Sequence, residues 1–294
     1  MSLSIRQLQI FESTARLERL TLAAEEQALS QSAASQALKE LEQSIGCSLF
    51  TRVGRELQIT DYGLDLLPKV RQIILLLDEI QNPVIGDGEL RGTLRIAASV
   101  TIACYLLPQL TAKFTASHPA ITPDILIGNT GEVITRLEKG QAQIGLIEGP
   151  ASPAKLKLTP WLKDDLALFC SPDHPLAKRG SISLEELPEY RWILRESGSG
   201  TRNVFDQSVQ KAGGYIENSM ALNRQEAIKQ SVKSDLGIGC LSRLCIWEDI
   251  QAGQLVELKS PLDLSRRFSI VSHSTNTPLV EAFLAQLLNQ SSAS

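Results

Sequence analysis

The chain has 294 residues, 43% of them hydrophobic and 21% charged, with a formal net charge of -4. That length holds two or three compact units, and the composition is that of an ordinary globular chain rather than a disordered or membrane-embedded one. Bulk charge does not announce a nucleic-acid partner: the first sixty residues set six cations (Arg6, Arg16, Arg19, Lys39, Arg52 and Arg55) against seven acids, so contact with DNA has to come from where the cations stand.

Residues 1 to 60 read as three short helices and a hairpin. Ile5, Leu8, Phe11 and Ala15 recur at helical spacing. Thr21 is the expected cap of a second helix, Leu22 to Leu29, and Ser30 that of a third, from Gln31 to about Gly46. Gly46 supplies the residue that tolerates a left-handed helix end. Leu49-Phe50 and Leu57-Gln58-Ile59 flank a polar turn around Gly54, the pattern of a two-stranded wing.

From 61 to about 82 a long helix is expected, followed by a hinge at Asn82-Pro83 and Gly86 to Gly88, so that 61–89 forms a linker and dimerisation segment. Leu66, Val70, Ile73, Leu77 and Ile80 follow a four-three spacing, a seam suited to packing on another helix. Pro68 predicts a kink or a delayed start. The densest apolar run, Ile73 to Leu77, is far below the roughly 18 residues that span a bilayer, and the N-terminus has no basic stretch leading into an apolar one. A cytoplasmic location with no membrane partner is the expectation.

From Gly92 on, strands and helices alternate. Strands are expected at Leu94 to Ala98, Ile121 to Ile127, Ile144 to Ile147, Leu166 to Cys170, Trp192 to Leu194 and Gly237 to Leu241. Helices are expected through Leu106 and Phe114, at Glu132 to Lys139, after Thr201, at Gln225 to Val232, and from Pro278 to Leu288. Such alternation predicts parallel sheets covered by helices.

The segment LSQSAASQALKELEQSIG, residues 29–46, carries the most specific signal. Ala34, Leu38, Leu41 and Ile45 share one face, and Ser32, Ser35, Gln36 and Lys39 share another. Short hydroxyls let a helix approach DNA closely; Gln36 can hold an adenine edge, and Lys39 can reach a phosphate or guanine. Gln31 stands at the helix start, where recognition helices meet base edges. A solvated face on a structural helix is the competing reading. Arg52 and Arg55 at the wing tip favour DNA by placing two permanent cations beside the helix.

Residues 3–66 resemble the N-terminal domain of LysR-type transcriptional regulators, through SIRQLQIF, LTLAAEEQALSQSAASQALKELEQSIGCSLF and TRVGRELQITDYG. The family often has Arg where this chain has Gln36, so that position reads a different base or touches none. ILRESGSGTR, EAIKQSV and LGIGCLSR look like the subgroup that includes the YeiE-type and CbbR-type regulators, nearest the YeiE type. The resemblance implies an all-α winged helix-turn-helix at 1–60 with a long linker helix, and an α/β two-lobed effector domain of the periplasmic-binding-protein kind at 90–294. Lobe I would take 90–162 and 268–294, and lobe II 163–267, joined by two crossover strands. It further implies a homodimer or homotetramer on double-stranded promoter DNA, with RNA polymerase as a further partner and no cofactor.

In open α/β sheets ligands bind beyond the strand C-termini, where helix N-termini present free N–H groups. Ser99 and Thr101 follow the first strand, Gly128 and Asn129 the second, Glu148 and Gly149 the third. Across the cleft, Ser199, Gly200 and Thr201 can form an anion nest with Arg195 or Arg202 nearby; a plain glycine-rich helix cap is the alternative. The resemblance implies a small oxoanion such as sulfite, or a carboxylate, held by residues matching Ser99, Thr101 and Thr201. Glu148 opposes an anion unless it is paired.

No enzymatic role is expected. Gly237-Ile-Gly239 has Ser242 in place of the third glycine of a dinucleotide loop, Ser199 lacks the first glycine of a nucleophile elbow, and His118, His174 and His273 have no metal-ligand spacing. The five cysteines are odd in number and scattered, which suggests neither a disulfide framework nor a zinc site and favours reduced, mostly buried thiols. Two alternatives remain: a redox-sensing regulator using the close pair Cys240 and Cys245, and a cytosolic small-anion-binding protein.

Overall fold

The computed structural model of the protein describes residues 3–53, 56–81, 90–153 and 156–291. The chain divides into two compact units, residues 1–92 with 138–141, and residues 93–137 with 142–294.

In the first unit, α1 (Ile5–Leu17), α2 (Leu20–Glu26) and α3 (Gln31–Ile45) precede a hairpin of β1 (Phe50–Val53) and β2 (Glu56–Ile59), then α4 (Asp61–Gln81). Each start has a local cause. Ser4 opens α1 with a capping box, its Oγ accepting from the Gln7 N–H while its own N–H donates to Gln7 Oε1. Ser30 caps α3 by accepting from the Ala33 N–H at 3.2 Å, an interaction typically worth about 1 kcal/mol. Gly46 ends α3 at φ +80°. The core gathers Ile10, Phe11, Ala34, Leu38, Leu41, Leu49 and Val70, with Phe11 edge-on to Phe50.

Thr21 is not a cap. The chain reverses at Glu18 in the left-handed region and α2 begins at Leu20, one residue after Arg19, which has no acceptor to offer. Pro68 does not delay α4, which starts at Asp61, seven residues earlier. The seam on α4 divides: Val70 is buried in the core with Leu66 against it, while Ile73 is exposed and Leu77 half-buried. Arg71 ties α4 to α1 through Glu12, at 3.1 Å. Ile80 lies in the last turn of α4; the hinge residues 82–83 and 86–88 lie outside the described residues.

Among the described residues the second unit is built on a sheet of nine strands. Eight run in the order β4 (Ile121–Gly128), β3 (Gly92–Ser99), β5 (Ile144–Glu148), β11 (Ser265–Ser272), β6 (Lys157–Cys170), β9 (Ile238–Ser242), β7 (Arg191–Arg195) and β8 (Asn218–Leu222). β10 (Val256–Leu258) pairs with β6 off that path. The helices are α5 (Val100–Tyr105), α6 (Leu107–Ser117), α7 (Thr130–Glu138), α8 (Gly200–Lys211), α9 (Gln225–Lys233), α10 (Arg243–Gln251) and α11 (Pro278–Ser291). The expected helix through Leu106 and Phe114 is two, divided at Leu106 just ahead of Pro108.

The sheet is mixed, not parallel. β6 and β11 run antiparallel to each other, β11 is antiparallel to β5, and β6 to β9; β3 with β5, and β7 with its neighbours β8 and β9, keep the parallel pairing. Alternation of strands and helices says nothing about strands that pass from one lobe to the other, and these two do. Residue 162 lies within β6 and residue 268 within β11, so both expected lobe boundaries fall inside crossover strands.

Candidate nucleic-acid interface and effector site

On α3, the apolar face Ala34, Leu38 and Leu41 is buried, and Gln31, Ser32, Ser35, Gln36 and Lys39 are all exposed on the rest of the helix. Two of the exposed groups are already engaged. Ser32 Oγ lies 3.0 Å from Ser30 Oγ. Gln36 Nε2 donates to Glu40 Oε1 at 2.9 Å, and the other oxygen of Glu40 accepts from Gln7 at 3.1 Å. Glu40 therefore holds Gln36 by its amide and sets a carboxylate one turn from it. Sequence reading passed over Glu40, whose i+4 spacing from Gln36 was the available signal. Arg52 lies on β1, paired with Leu57 of β2; Arg55 lies outside the described residues.

In the second unit, a buried charged cluster joins both lobes at the crossover strands. The β11–β6 register sets Arg266 opposite Asp164, and Arg266 Nε donates to Asp164 Oδ2 at 2.6 Å. Its Nη1 reaches Glu148 Oε2 at 2.6 Å and Thr201 Oγ1 at 2.9 Å. Glu148, at the end of β5, also accepts from Thr101 Oγ1 at 2.8 Å and Thr201 Oγ1 at 3.2 Å. Gln225, opening α9, donates to Thr101 Oγ1 at 2.7 Å, and Ser242 Oγ donates to Asp164 at 2.7 Å. Thr101 and Thr201, two of the hydroxyls expected to receive an external anion, thus already hold an internal one. Burial pushes the Glu148 carboxyl up, but Arg266, Thr101 and Arg195 pull it further down, below the usual carboxylate range; for Asp164, burial prevails and the value is raised.

Ser99, Thr101, Arg195, Ser199 and Thr201 are buried with Glu148. Two buried guanidinium donors there have no hydrogen-bond partner among the described residues, Arg195 Nη1 and Arg266 Nη2, while the Ser99 hydroxyl, outside good hydrogen-bond geometry, still helps to lower Glu148. The rest of Arg195 is held by Glu196, at 2.8 and 2.9 Å. Asn129 caps α7, its Oδ1 accepting from the Glu132 N–H, while its Nδ2 crosses to Glu196 at 3.3 Å. Arg202 turns along its own helix to Asp206, at 2.8 Å, and donates to the Arg195 carbonyl. Ser199 occupies the cap position of α8 without a side-chain capping bond. Gly200 is required by close approach: a Cβ there would stand 1.6 Å from the Glu148 carbonyl oxygen. Neighbouring Thr130 donates its Oγ1 to that same carbonyl at 2.8 Å.

Residues 5–64 match the model of the bacterial regulatory helix-turn-helix protein, lysR family, and residues 87–292 match that of the LysR substrate binding domain. The chain belongs to the LysR family. This LysR-family chain is 38% identical over 262 residues to the uncharacterized HTH-type transcriptional regulator YeiE of Escherichia coli (89% of this chain, 88% of that one). It is 34% identical to the RuBisCO operon transcriptional regulator of Allochromatium vinosum (88% and 85%). Among solved structures, a full-length OxyR variant from Pseudomonas aeruginosa shares the fold at a TM-score of 0.77 with 21% identity (97% and 98%). Full-length CbnR complexed with its target DNA matches at 0.67 and 18% (98% and 99%). The CcmR regulatory domain of Synechocystis in complex with 2-PG matches at 0.63 and 24% (68% and 98%).

Asp164, Glu196, Gln225, Ser242 and Arg266 were missed from sequence. Asp164 and Arg266 stand beside other charges, in Lys163-Asp164-Asp165 and Arg266-Arg267, so the local sequence carried no signal that they are buried. Among the cysteines, Cys170, Cys240 and Cys245 are buried and Cys47 and Cys104 exposed, all as free thiols. Burial pushes Cys240 up to about 12 and raises Cys245 as well, the opposite of the lowered value a redox-sensing thiolate has. No metal-binding cluster occurs among the described residues, and none of their helices is long and apolar enough to cross a membrane.

Proposed function

We propose that this LysR-family regulator reads promoter DNA with α3 and the β1–β2 wing, and that a small oxoanion carrying a proton, of the sulfite and hydrogensulfite class, governs it from the cluster around Glu148. The observation that carries the effector reading is the pairing of an ionised, acceptor-only carboxylate with two buried unpartnered donors, Arg195 Nη1 and Arg266 Nη2. A fully deprotonated anion is repelled by Glu148. One that keeps an O–H donates it to Glu148 and accepts from the free donors, satisfying both sides. The lobes meet where Gly149 faces Gly200, so entry parts them, and the ligand shifts that equilibrium by its difference in affinity for the two states.

On the DNA side, Gln31, Ser32, Ser35, Gln36 and Lys39 meet base edges and phosphates, with Arg52 and Arg55 on the backbone beside them. The chain works as a homodimer or homotetramer in the cytoplasm, with Ile73 and Leu77 of the α4 seam at the contact between copies. RNA polymerase is a further partner, and no catalytic step or cofactor is assigned. The test is calorimetric titration of the full chain with sulfite and with sulfate, an anion of similar size that carries no proton at neutral pH. Sulfite is expected to bind and sulfate to fail. Equal binding of the two contradicts the proton-donor reading.

A further inference from the structure

Along the face of α8 that begins at Thr201, one to three turns further on, lies a half-open cavity of about 570 Å³ bordered by α8, the loop after β5 and the crossover strands. That volume is within the roughly 300–1,000 Å³ of small-molecule sites. Ser99, Thr101, Arg195 and Thr201 do not line it. Its wall is apolar at Leu158 and Val204 and polar at Ser208, Lys211, Arg266 and Arg267.

One observation points to a ligand. Ser208 is buried and lines the cavity, and its Oγ has no partner among the described residues. A buried polar atom left unpaired costs about 1–3 kcal/mol, so the Ser208 hydroxyl beside this cavity calls for a partner there. In a regular strand successive side chains point to opposite faces, and here Arg266 is buried and Arg267 exposed. Both border the cavity, Arg266 from its buried side and Arg267 from its solvent side.

Charge and polarity set the ligand class. Lys211 and Arg267 are exposed at the rim and neither makes a side-chain ion pair or hydrogen bond with the described residues. Asp263, also on the rim, is bound to the Ser265 N–H and hydroxyl and partly balances Lys211. The remainder is close to one positive charge beside an apolar wall.

We propose that this cavity is a second ligand site, for an organic monocarboxylate with a short apolar body, whose carboxylate meets Ser208, Arg267 and Lys211. Because Arg266 borders the cavity and also holds Glu148, Asp164 and Thr201, a carboxylate there competes for the guanidinium that fixes the inter-lobe cluster. The site stands whether or not the oxoanion reading does.

The experiment is calorimetric titration of the full chain with 4-methylpentanoate, using 4-methylpentanamide as the uncharged analogue and sulfate as an anion without an apolar body. Saturable binding of the carboxylate is expected, at least tenfold weaker for the amide and for sulfate. Arg267→Met and Lys211→Met, both exposed positions, are each expected to weaken it about tenfold, and Val204→Trp, which fills the cavity, to remove it. Thr201→Val is expected to leave it in place. If Val204→Trp unfolds the protein, the two rim variants decide. No saturable binding to the unaltered chain, unchanged affinity in both rim variants, or loss in Thr201→Val with retention in the rim variants each overturns the proposal.

Discussion

Replacing Gly200 with Ala tests whether the two lobes work as a closing pair around Glu148. The added Cβ would lie 1.6 Å from the Glu148 carbonyl oxygen, 2.6 Å from its carbon and 2.8 Å from Thr130 Oγ1. The first two neighbours are backbone in the middle of the sheet, and 1.6 Å is about 1.4 Å inside the nearest approach real Cβ atoms make. Relief requires α8 to withdraw from β5, since neither the strand nor the helix start can yield alone. Overpacking of this kind costs about 1–3 kcal/mol, which biases the lobes toward the parted arrangement about 5- to 150-fold. In a domain of roughly 200 residues each kcal/mol lowers Tm by about 2–4 °C, so a loss of about 2–12 °C is expected. The assay pairs thermal melting of the full chain with fluorescence anisotropy on operator DNA, with and without sulfite. Gly200→Ala is expected to melt earlier and to lose its response to sulfite while still binding DNA. Wild-type melting together with a wild-type response would refute the argument that Gly200 is present for close approach.

Glu148→Gln removes the buried carboxylate but keeps its shape, and is expected to narrow the preference for sulfite over sulfate by at least tenfold in calorimetry. The same variant has a pH signature. The folded-state value of Glu148 is depressed, so its contribution to stability is complete above the ordinary carboxylate range and is lost as pH falls through the lower folded value. Melting curves from pH 7 downward are expected to drop more steeply below about 4.5 in the unaltered chain than in Glu148→Gln; parallel curves would show that Glu148 is not coupled to folding. Glu40→Ala frees Gln36 and removes a carboxylate from the exposed side of α3. DNA affinity is expected to rise, with altered preference at one base pair worth about 1–3 kcal/mol; unchanged binding across a randomised operator library would take Gln36 out of the reading face. Under native conditions a thiol reagent is expected to label Cys47 and Cys104 and to spare Cys240 and Cys245, whose burial keeps them protonated; rapid labelling of the latter pair would revive the redox reading.

Local chemistry fixed much of the architecture. Ser30 and Gly46 bound α3 because a hydroxyl can accept an orphan N–H and glycine tolerates positive φ, and both act between neighbours in the chain. The apolar stripe through Ala34, Leu38 and Leu41 committed that helix to the core and left the polar residues outward. Where a local signal was weak, the element was misplaced: Thr21 suggested a cap, but the turn at Glu18 had already begun α2.

Tertiary pairing decided the rest. β6 and β11 carry chain between lobes, so their antiparallel neighbours are chosen across the sheet and not by the adjoining helices. The β11–β6 register brings Arg266 to Asp164, 102 residues away in sequence, and the β11–β5 pairing brings Glu148 to the same guanidinium. The sequence could name Ser99, Thr101, Glu148 and Thr201 as ends of strands and starts of helices, because those positions follow from local pattern. That Glu148 takes the place of an external anion depended on which distant cation the sheet set beside it, and periodicity along a chain carries no record of that.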